Sequence, residues 1–183
     1  MNYHNITYPD MNNGDGLRVV LWVSGCHNHC PGCQNPQTWS PNSGILFDDD
    51  ARSELFEQLS KDYISGVTLS GGDPLALENL NCILQLVSDI KEKYPDKTIW
   101  IYSGYTWEEI WDETLHYQLR TMEKLLTGRL RRQLIVSKCD VMVDGRYEEG
   151  LRDVTLKWKG SSNQRVIDVK ETLKNKDIVL IIS

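Results

Sequence analysis

Three of the five cysteines fall within eight residues, in the stretch Cys26-His27-Asn28-His29-Cys30-Pro31-Gly32-Cys33. An odd cysteine total argues against a disulfide framework, and thiols this close in a reducing compartment point to metal or redox chemistry. Spaced x3 and x2 on a short loop, the three thiolates can turn toward one metal centre. A structural zinc site needs four protein ligands, and His27 or His29 could complete a Cys3His set. An iron-sulfur cluster commonly takes four cysteines, and no fourth lies nearby. Three cysteine ligands would leave one iron open, where a substrate or cofactor can bind directly. Cys82 lies in an apolar helical pattern and Cys139 leads into an apolar strand, so both are expected to act as small buried hydrophobes.

A second cluster is Gly71-Gly72-Asp73-Pro74. It could be a plain strand-to-helix turn, with Asp73 as N-cap and Pro74 at the first helical position. It could also be a ligand turn, because two residues without Cβ let backbone polar groups approach a bound molecule closely. Ser103-Gly104-Tyr105 and Asp144-Gly145 are two further small-residue turns, and Gly14-Asp15-Gly16 is expected to turn the chain into its first strand.

The elements that must position these residues follow from hydrophobic spacing. Leu17 to Val23, with its unbroken apolar run Val19-Val20-Leu21-Trp22-Val23, reads as a strand of a parallel sheet. Asp48, Asp49 and Asp50 offer caps for a helix that carries Leu55, Phe56 and Leu59 and runs to about Ser60. A second strand is predicted over Gly66–Ser70. Leu77, Leu80, Ile83, Leu84, Val87 and Ile90 then share one helix face, and that helix ends before Pro95. Thr98–Ser103 is a third strand. Thr106-Trp107-Glu108-Glu109 matches a capping box at the start of another helix. Leu115 to Arg132 is either one broken helix or two, with a turn at Thr127-Gly128. Val141–Val143 is a fourth strand. Strand and helix in alternation imply βαβ units, and every unusual motif follows a strand, where ligands of such sheets bind.

Composition sets the outer bounds. At 183 residues the chain is about one domain, and 40% hydrophobic residues with 13 Gly exclude disorder and collagen-like structure. The net charge of −6 disfavours a dedicated nucleic-acid binder and suits docking to a protein. The apolar runs fall far short of the roughly 20 residues that cross a bilayer, so no membrane partner is expected. Met1–Asn5 lacks a secretory pattern, and the chain is expected in the cytoplasm. His4, His27, His29 and His116 have no paired acid at telling spacing and are read as surface or loop residues.

Cys26-x3-Cys30-x2-Cys33 together with Gly71-Gly72-Asp73-Pro74 resembles the radical S-adenosylmethionine (SAM) enzymes. More narrowly, the chain is similar to the activating proteins of anaerobic ribonucleoside-triphosphate reductases. That likeness also rests on Met1-Asn2-Tyr3, Val23-Ser24-Gly25 and the tail Trp158-Lys159-Gly160-Ser161-Ser162-Asn163-Gln164. It implies an α/β fold, a partial (β/α) barrel with a mostly parallel sheet of the radical SAM type. Residues 1–165 would form the activase domain and 166–183 a C-terminal extension, in which Ile178–Ile182 would add an edge strand or dock on a partner. The resemblance implies a 4Fe-4S cluster on Cys26, Cys30 and Cys33, and SAM chelating its fourth iron. SAM would lie against Gly32, Cys33, Gln34, Gly71, Gly72 and Asp73, with Ser103, Gly104, Asp144 and Gly145 near its ribose or adenine. One electron, from a reduced donor such as flavodoxin, would cleave SAM to a 5'-deoxyadenosyl radical that takes hydrogen from a glycine of the reductase. Asn163-Gln164-Arg165 would help position the site or the partner's glycine loop. The chain departs from the pattern at Gly32, where many radical SAM loops carry an aromatic residue, and at Gln34, where the activating subfamily often has Tyr. Trp39 is the nearest aromatic substitute. Other readings of the same residues are an activase for a different glycyl-radical enzyme such as formate lyase, and a zinc-stabilised binding module.

Overall fold

The protein's structure, a computed structural model, describes residues 1–111 and 123–182. It is an α/β fold built on a single eight-stranded mixed sheet. The strands are β1 (Asn2–Asp10), β2 (Arg18–Val23), β3 (Ile45–Leu46), β4 (Gly66–Gly71), β5 (Thr98–Tyr102), β6 (Val141–Asp144), β7 (Arg165–Asp168) and β8 (Leu180–Ile182). Their order across the sheet is β3-β1-β2-β4-β5-β6-β7-β8. The central four, β2, β4, β5 and β6, are parallel and are the four strands predicted from apolar runs. Antiparallel pairs extend the sheet on both sides, β1 and β3 at one end, β7 and β8 at the other.

Period-2 alternation divides the strand side chains between two faces. Val19, Leu21, Val23, Val67, Leu69, Ile99, Ile101, Met142 and Ile167 join the main core. The helices cover that face: α1 (Asp49–Leu59) through Leu55 and Leu59, and α2 (Leu80–Lys93) through Ile83, Leu86, Val87 and Ile90. Beyond α3 (Trp107–Trp111), α4 (Glu123–Lys138) adds Ile135 and Val136, and α5 (Val169–Asn175) adds Val169. The alternate residues Trp100, Val141, Val143 and Val166 form a smaller cluster with Tyr102 and Trp158 on the other face. Loops rather than helices close that side, and this leaves room there for a ligand.

The helix starts follow the predicted chemistry in two cases and depart from it in one. Asp48 caps α1 by accepting from the Ala51 N–H at 3.0 Å. The capping box holds at α3: Thr106 N–H donates to Glu109 at 2.9 Å and Glu109 N–H to Thr106 Oγ1 at 3.2 Å. Asp73, however, does not cap α2, which begins at Leu80 after a turn, with Asn79 at the N-cap position. Leu77 therefore lies ahead of the helix face and is 43% exposed. Residues 112–122, with His116, lie outside the described residues. From Glu123 the helix passes through Thr127-Gly128, so the turn that one of the two expectations placed there does not form, and a Cβ on Gly128 would lie 2.8 Å from Leu77 Cδ2.

A buried arginine ties the amino ends of the parallel strands together. Arg18 is fully buried and donates to Thr68 Oγ1 (2.7 Å), Val67 O (2.7 Å), Thr98 Oγ1 (2.9 Å), Asp15 O (3.0 Å) and Thr98 O (3.1 Å). Burial pulls its pKa down to about 10. At the opposite, carboxyl ends of the same strands lie the cysteine loop and the glycine turns. Residues 166–183 supply most of β7 and all of α5 and β8, and β8 is an edge strand, as one of the two expectations for Ile178–Ile182 has it.

Candidate active site

The cysteine loop leaves β2 and is fastened at its base. Gly25 N–H donates to Thr38 O at 2.7 Å and Cys26 N–H to Trp39 O at 2.9 Å, so the loop's exit runs back beside its entry. Cys33 N–H closes a tight turn on Cys30 O at 3.1 Å, with Gly32 at φ +72°, a left-handed conformation that suits glycine. Each sulfur receives an N–H group. Backbone amides of Asn28 and His29 reach Cys26, the Tyr147 amide reaches Cys30, and the Asn35 amide lies 3.3 Å from Cys33 Sγ. Burial pushes the Cys26 and Cys30 thiols up, and these amide donors oppose it by favouring the thiolates. Amide donors to sulfur are the environment in which cluster thiolates are found.

The Gly71-Gly72 turn is shaped by its neighbours. A Cβ on Gly72 would lie 2.6 Å from Gly25 O, and one on Gly71 would lie 2.8 Å from Val23 N. Gly72 N–H donates to Val23 O and Asp73 N–H to Gly25 O, both at 2.7 Å. With these donors engaged, what the turn can offer a ligand is carbonyl oxygen, an acceptor for an ammonium group. Asp73 is buried and knits three loops together. It accepts from Ser103 Oγ (2.8 Å), Leu75 N–H (2.9 Å), Gly104 N–H (3.1 Å) and Asn28 Nδ2 (3.3 Å). Burial raises its carboxyl pKa, and the hydrogen bonds with the nearby Arg132 charge act against the rise.

One cavity of about 220 Å³ collects these groups. Of the residues proposed from sequence, Cys26, Cys30, Cys33, Gln34, Gly71, Gly72, Asp73, Ser103, Gly104 and Gly145 line it. Gly32 and Asp144 do not. Gly32 is exposed and packed against the Glu149 carboxylate. Asp144 is turned away: it accepts from Trp107 N–H at the start of α3 and pairs with Arg165, whose guanidinium also holds Glu108 at 2.8 Å. Trp39 is also absent from the lining and packs on His29, with ring centroids 4.7 Å apart.

The cavity also has walls that motif reading missed. Trp22 and Tyr102 stand on the loop-covered face of the sheet, and Asn13, Arg146 and Tyr147 come from loops. Residues after a strand end were the available signal for Arg146 and Tyr147; nothing marked Asn13. Asn28 links the parts, its amide Nδ2 lying 3.6 Å from Cys26 Sγ and its Oδ1 accepting from Arg146 at 3.1 Å. Gln164 clamps the last wall. It donates to Gly145 O at 3.0 Å and accepts from Gly160 N–H at 2.9 Å, while Asn163 holds Arg146 O at 2.8 Å. A larger groove of about 950 Å³ runs along α1 and α2 past Arg52, Phe56, Asp89 and Tyr94, and it carries no cysteine or glycine turn.

Among the described residues, no three His, Cys, Asp or Glu side chains converge tightly enough for a single metal ion. Tetrahedral zinc would need its sulfurs within roughly 4 Å of one another. Neither histidine of the loop turns to the cysteines, since His27 pairs with Glu78 at 3.0 Å and His29 packs on Trp39.

Residues 12–167 match the family model described as a 4Fe-4S single cluster domain. The chain is 42% identical over 166 residues to the anaerobic ribonucleoside-triphosphate reductase-activating protein of Enterobacteria phage T4, covering 91% of this chain and 93% of that protein. It is 38% identical over 168 residues to the protein of that name from Escherichia coli K12, covering 91% and 97%, and 37% identical to that of Vibrio cholerae, covering 90% and 96%. Identity at this level extends over nearly the whole length of each relative, and the chain belongs to the family of anaerobic ribonucleoside-triphosphate reductase-activating proteins.

Proposed function

We propose that this chain is a radical SAM activating enzyme, one that reductively cleaves S-adenosylmethionine at a 4Fe-4S cluster and generates the glycyl radical on anaerobic ribonucleoside-triphosphate reductase. The observation that carries the reading is that Cys26, Cys30, Cys33 and the Gly71-Gly72 turn line one cavity at the strand ends. The three cysteines would hold the cluster, which when bound supplies one electron and an open iron position. The carbonyl side of the Gly71-Gly72 turn would accept the amino group of SAM. Asp73 acts through Ser103, Gly104 and Asn28, holding two strand-end loops and the cysteine loop in one arrangement. Ser103, Gly104 and Gly145 would lie along the nucleoside, and Trp22, Tyr102 and Tyr147 replace the absent loop aromatic as walls that exclude water.

In this reading residues 1–165 are the activase unit, its sheet an incomplete barrel of the radical SAM type, and 166–183 extend that sheet. Cytoplasmic thiols stay reduced, which suits the cysteine loop, and a reduced carrier such as flavodoxin supplies the electron. Among the described residues no helix is long and apolar enough to cross a membrane.

The test is protein reconstituted with iron and sulfide without oxygen, assayed for metal content and for 5'-deoxyadenosine after chemical reduction in the presence of SAM. About four irons per chain with deoxyadenosine formed is the expected result. Stoichiometric zinc without deoxyadenosine would overturn the reading and leave the cysteine loop structural.

A further inference from the structure

Asn28 lies inside the cysteine motif, between Cys26 and Cys30, and each polar atom of its side chain is engaged. Nδ2 sits 3.6 Å from Cys26 Sγ and 3.3 Å from Asp73 Oδ2, one hydrogen for each. Oδ1 accepts from Arg146 Nε at 3.1 Å. The amide is seated on bare backbone, since a Cβ on Gly104 would lie 2.1 Å from Nδ2. Gly104 therefore makes the space that the amide fills.

Backbone amides reach all three sulfurs, and Asn28 adds a side-chain donor at Cys26. A side-chain amide can turn over, exchanging oxygen for nitrogen at little steric cost. Turned over here, it would set a carbonyl against a thiolate and a carboxylate. Arg146 prevents this. A guanidinium only donates, so it can meet Oδ1 but not Nδ2, and the N–H face is left pointing to sulfur. Arg146 is fixed in its turn: both terminal nitrogens donate to Glu109 Oε1 at 3.0 Å, and its carbonyl accepts from Asn163 Nδ2 at 2.8 Å. Glu109 Oε2 accepts from the Thr106 N–H in the capping box of α3. A continuous run of hydrogen bonds thus joins the start of α3 to one sulfur of the cysteine loop.

We infer that Asn28 tunes the reduction potential of the cluster through Cys26, and that Arg146 is the positioning residue that holds the amide with its N–H toward sulfur. The inference rests on the function proposed above in one respect, that Cys26 is a ligand of a 4Fe-4S cluster. One electron taken from a reduced carrier adds one negative charge to the cluster and its thiolates, and an N–H group on sulfur stabilises that charge. Asn28 thereby raises the potential, so that a weaker reductant suffices. Glu109 offsets the charge of Arg146, and the guanidinium acts chiefly through the amide it orients.

The experiment is a redox titration followed by electron paramagnetic resonance, without SAM or the reductase, on the reconstituted unmodified protein, Asn28→Ala, Arg146→Ala and the double variant. Gly104→Ala, whose methyl would displace the amide without touching the cysteine loop, takes the place of Asn28→Ala should that variant take up no iron. Asn28→Ala should lower the ratio of reduced to oxidised cluster at a fixed potential about tenfold, a shift of about 59 mV to lower potential for a one-electron couple. Gly104→Ala should shift it the same way. Removing Arg146 should lower the ratio more in the unmodified protein than in the Asn28→Ala or Gly104→Ala background, because direct effects of its charge are common to both. An unchanged potential in Asn28→Ala, or in Gly104→Ala where it stands in, would overturn the role of Asn28. Equal steps on removing Arg146 would overturn its positioning role. An unmodified protein that takes up no iron would remove both the proposed function and the tuning. Shifted potentials without deoxyadenosine from SAM would remove the proposed function alone, and deoxyadenosine with equal potentials would remove the tuning alone.

Discussion

Gly72→Ala is the substitution for which the structure gives the most definite answer. The added methyl would lie 2.6 Å from Gly25 O and 3.0 Å from both Gly25 C and Val23 O. All three are backbone atoms, so no side chain can swing aside. The chain must separate β4's exit from the first residues of the cysteine loop, which stretches the two 2.7 Å hydrogen bonds from Gly72 N–H and Asp73 N–H. Overpacking of this kind costs about 1–3 kcal/mol, and each weakened hydrogen bond adds about 1 kcal/mol at most. The expected loss is about 2–4 kcal/mol in urea unfolding. Because the displaced segment leads directly into Cys26, iron content after reconstitution should fall together with SAM affinity. This differs from what a ligand-turn reading of Gly71-Gly72 alone implies, namely weaker SAM binding with the cluster intact. A Gly72→Ala protein with an unchanged urea midpoint and full iron content would show that the close contact with Gly25 does not govern the site.

Three further outcomes follow from single groups. Asp73→Ala leaves four donors without their acceptor and should cost about 3–5 kcal/mol in urea unfolding, with Asp73→Asn losing less; equal stability of all three proteins would refute the assigned network. Cys30→Ala should retain the fold by circular dichroism yet lose iron on reconstitution, and full iron content would remove Cys30 from the ligand set. Arg165 holds the Glu108 carboxyl at a pKa of about 2, below its ordinary value of 4.5. A depressed carboxylate stabilises the fold above its unfolded pKa, and that stability is lost as pH falls from about 4.5 toward 2. Half of the Glu108 side chain is exposed, so screening reduces the effect to about 1 kcal/mol. The stability gap between the unmodified protein and Glu108→Gln should therefore nearly vanish between pH 7 and pH 3, and a gap that widens would contradict the assignment.

What could be read from the sequence was whatever repeats or clusters within a short span. The four parallel strands are apolar runs because both faces of a central strand are covered, and α2 shows its buried face at helical spacing. The outer strands lack that signature. In β1 only Tyr3 and Ile6 are buried, β3 is two exposed residues, and β7 contributes Val166 and Ile167 between polar neighbours. Their pairing is decided by neighbours distant in the chain, a signal no local window contains.

The site divides along the same line. Cys26, Cys30, Cys33, Gly71 and Gly72 are close in sequence and chemically unusual, so spacing exposed them. Two residues that hold them in relation to one another, Asn28 and Arg146, are ordinary polar side chains whose partners lie 45 and 118 positions away, whereas Gln164 was marked only by the tail motif of the resemblance. Asp144, which the resemblance placed near the nucleoside, shows the converse: it does not line the cavity. A carboxylate at a strand end suggests a ligand contact, yet Arg165, 21 positions later, and the amide of Trp107 claim it for the fold. A strand-end acid becomes a ligand contact only where no cation or helix start lies nearer than the cavity. In the function proposed above Asp73 too is a positioning group, since Ser103, Gly104, Leu75 and Asn28 occupy its oxygens.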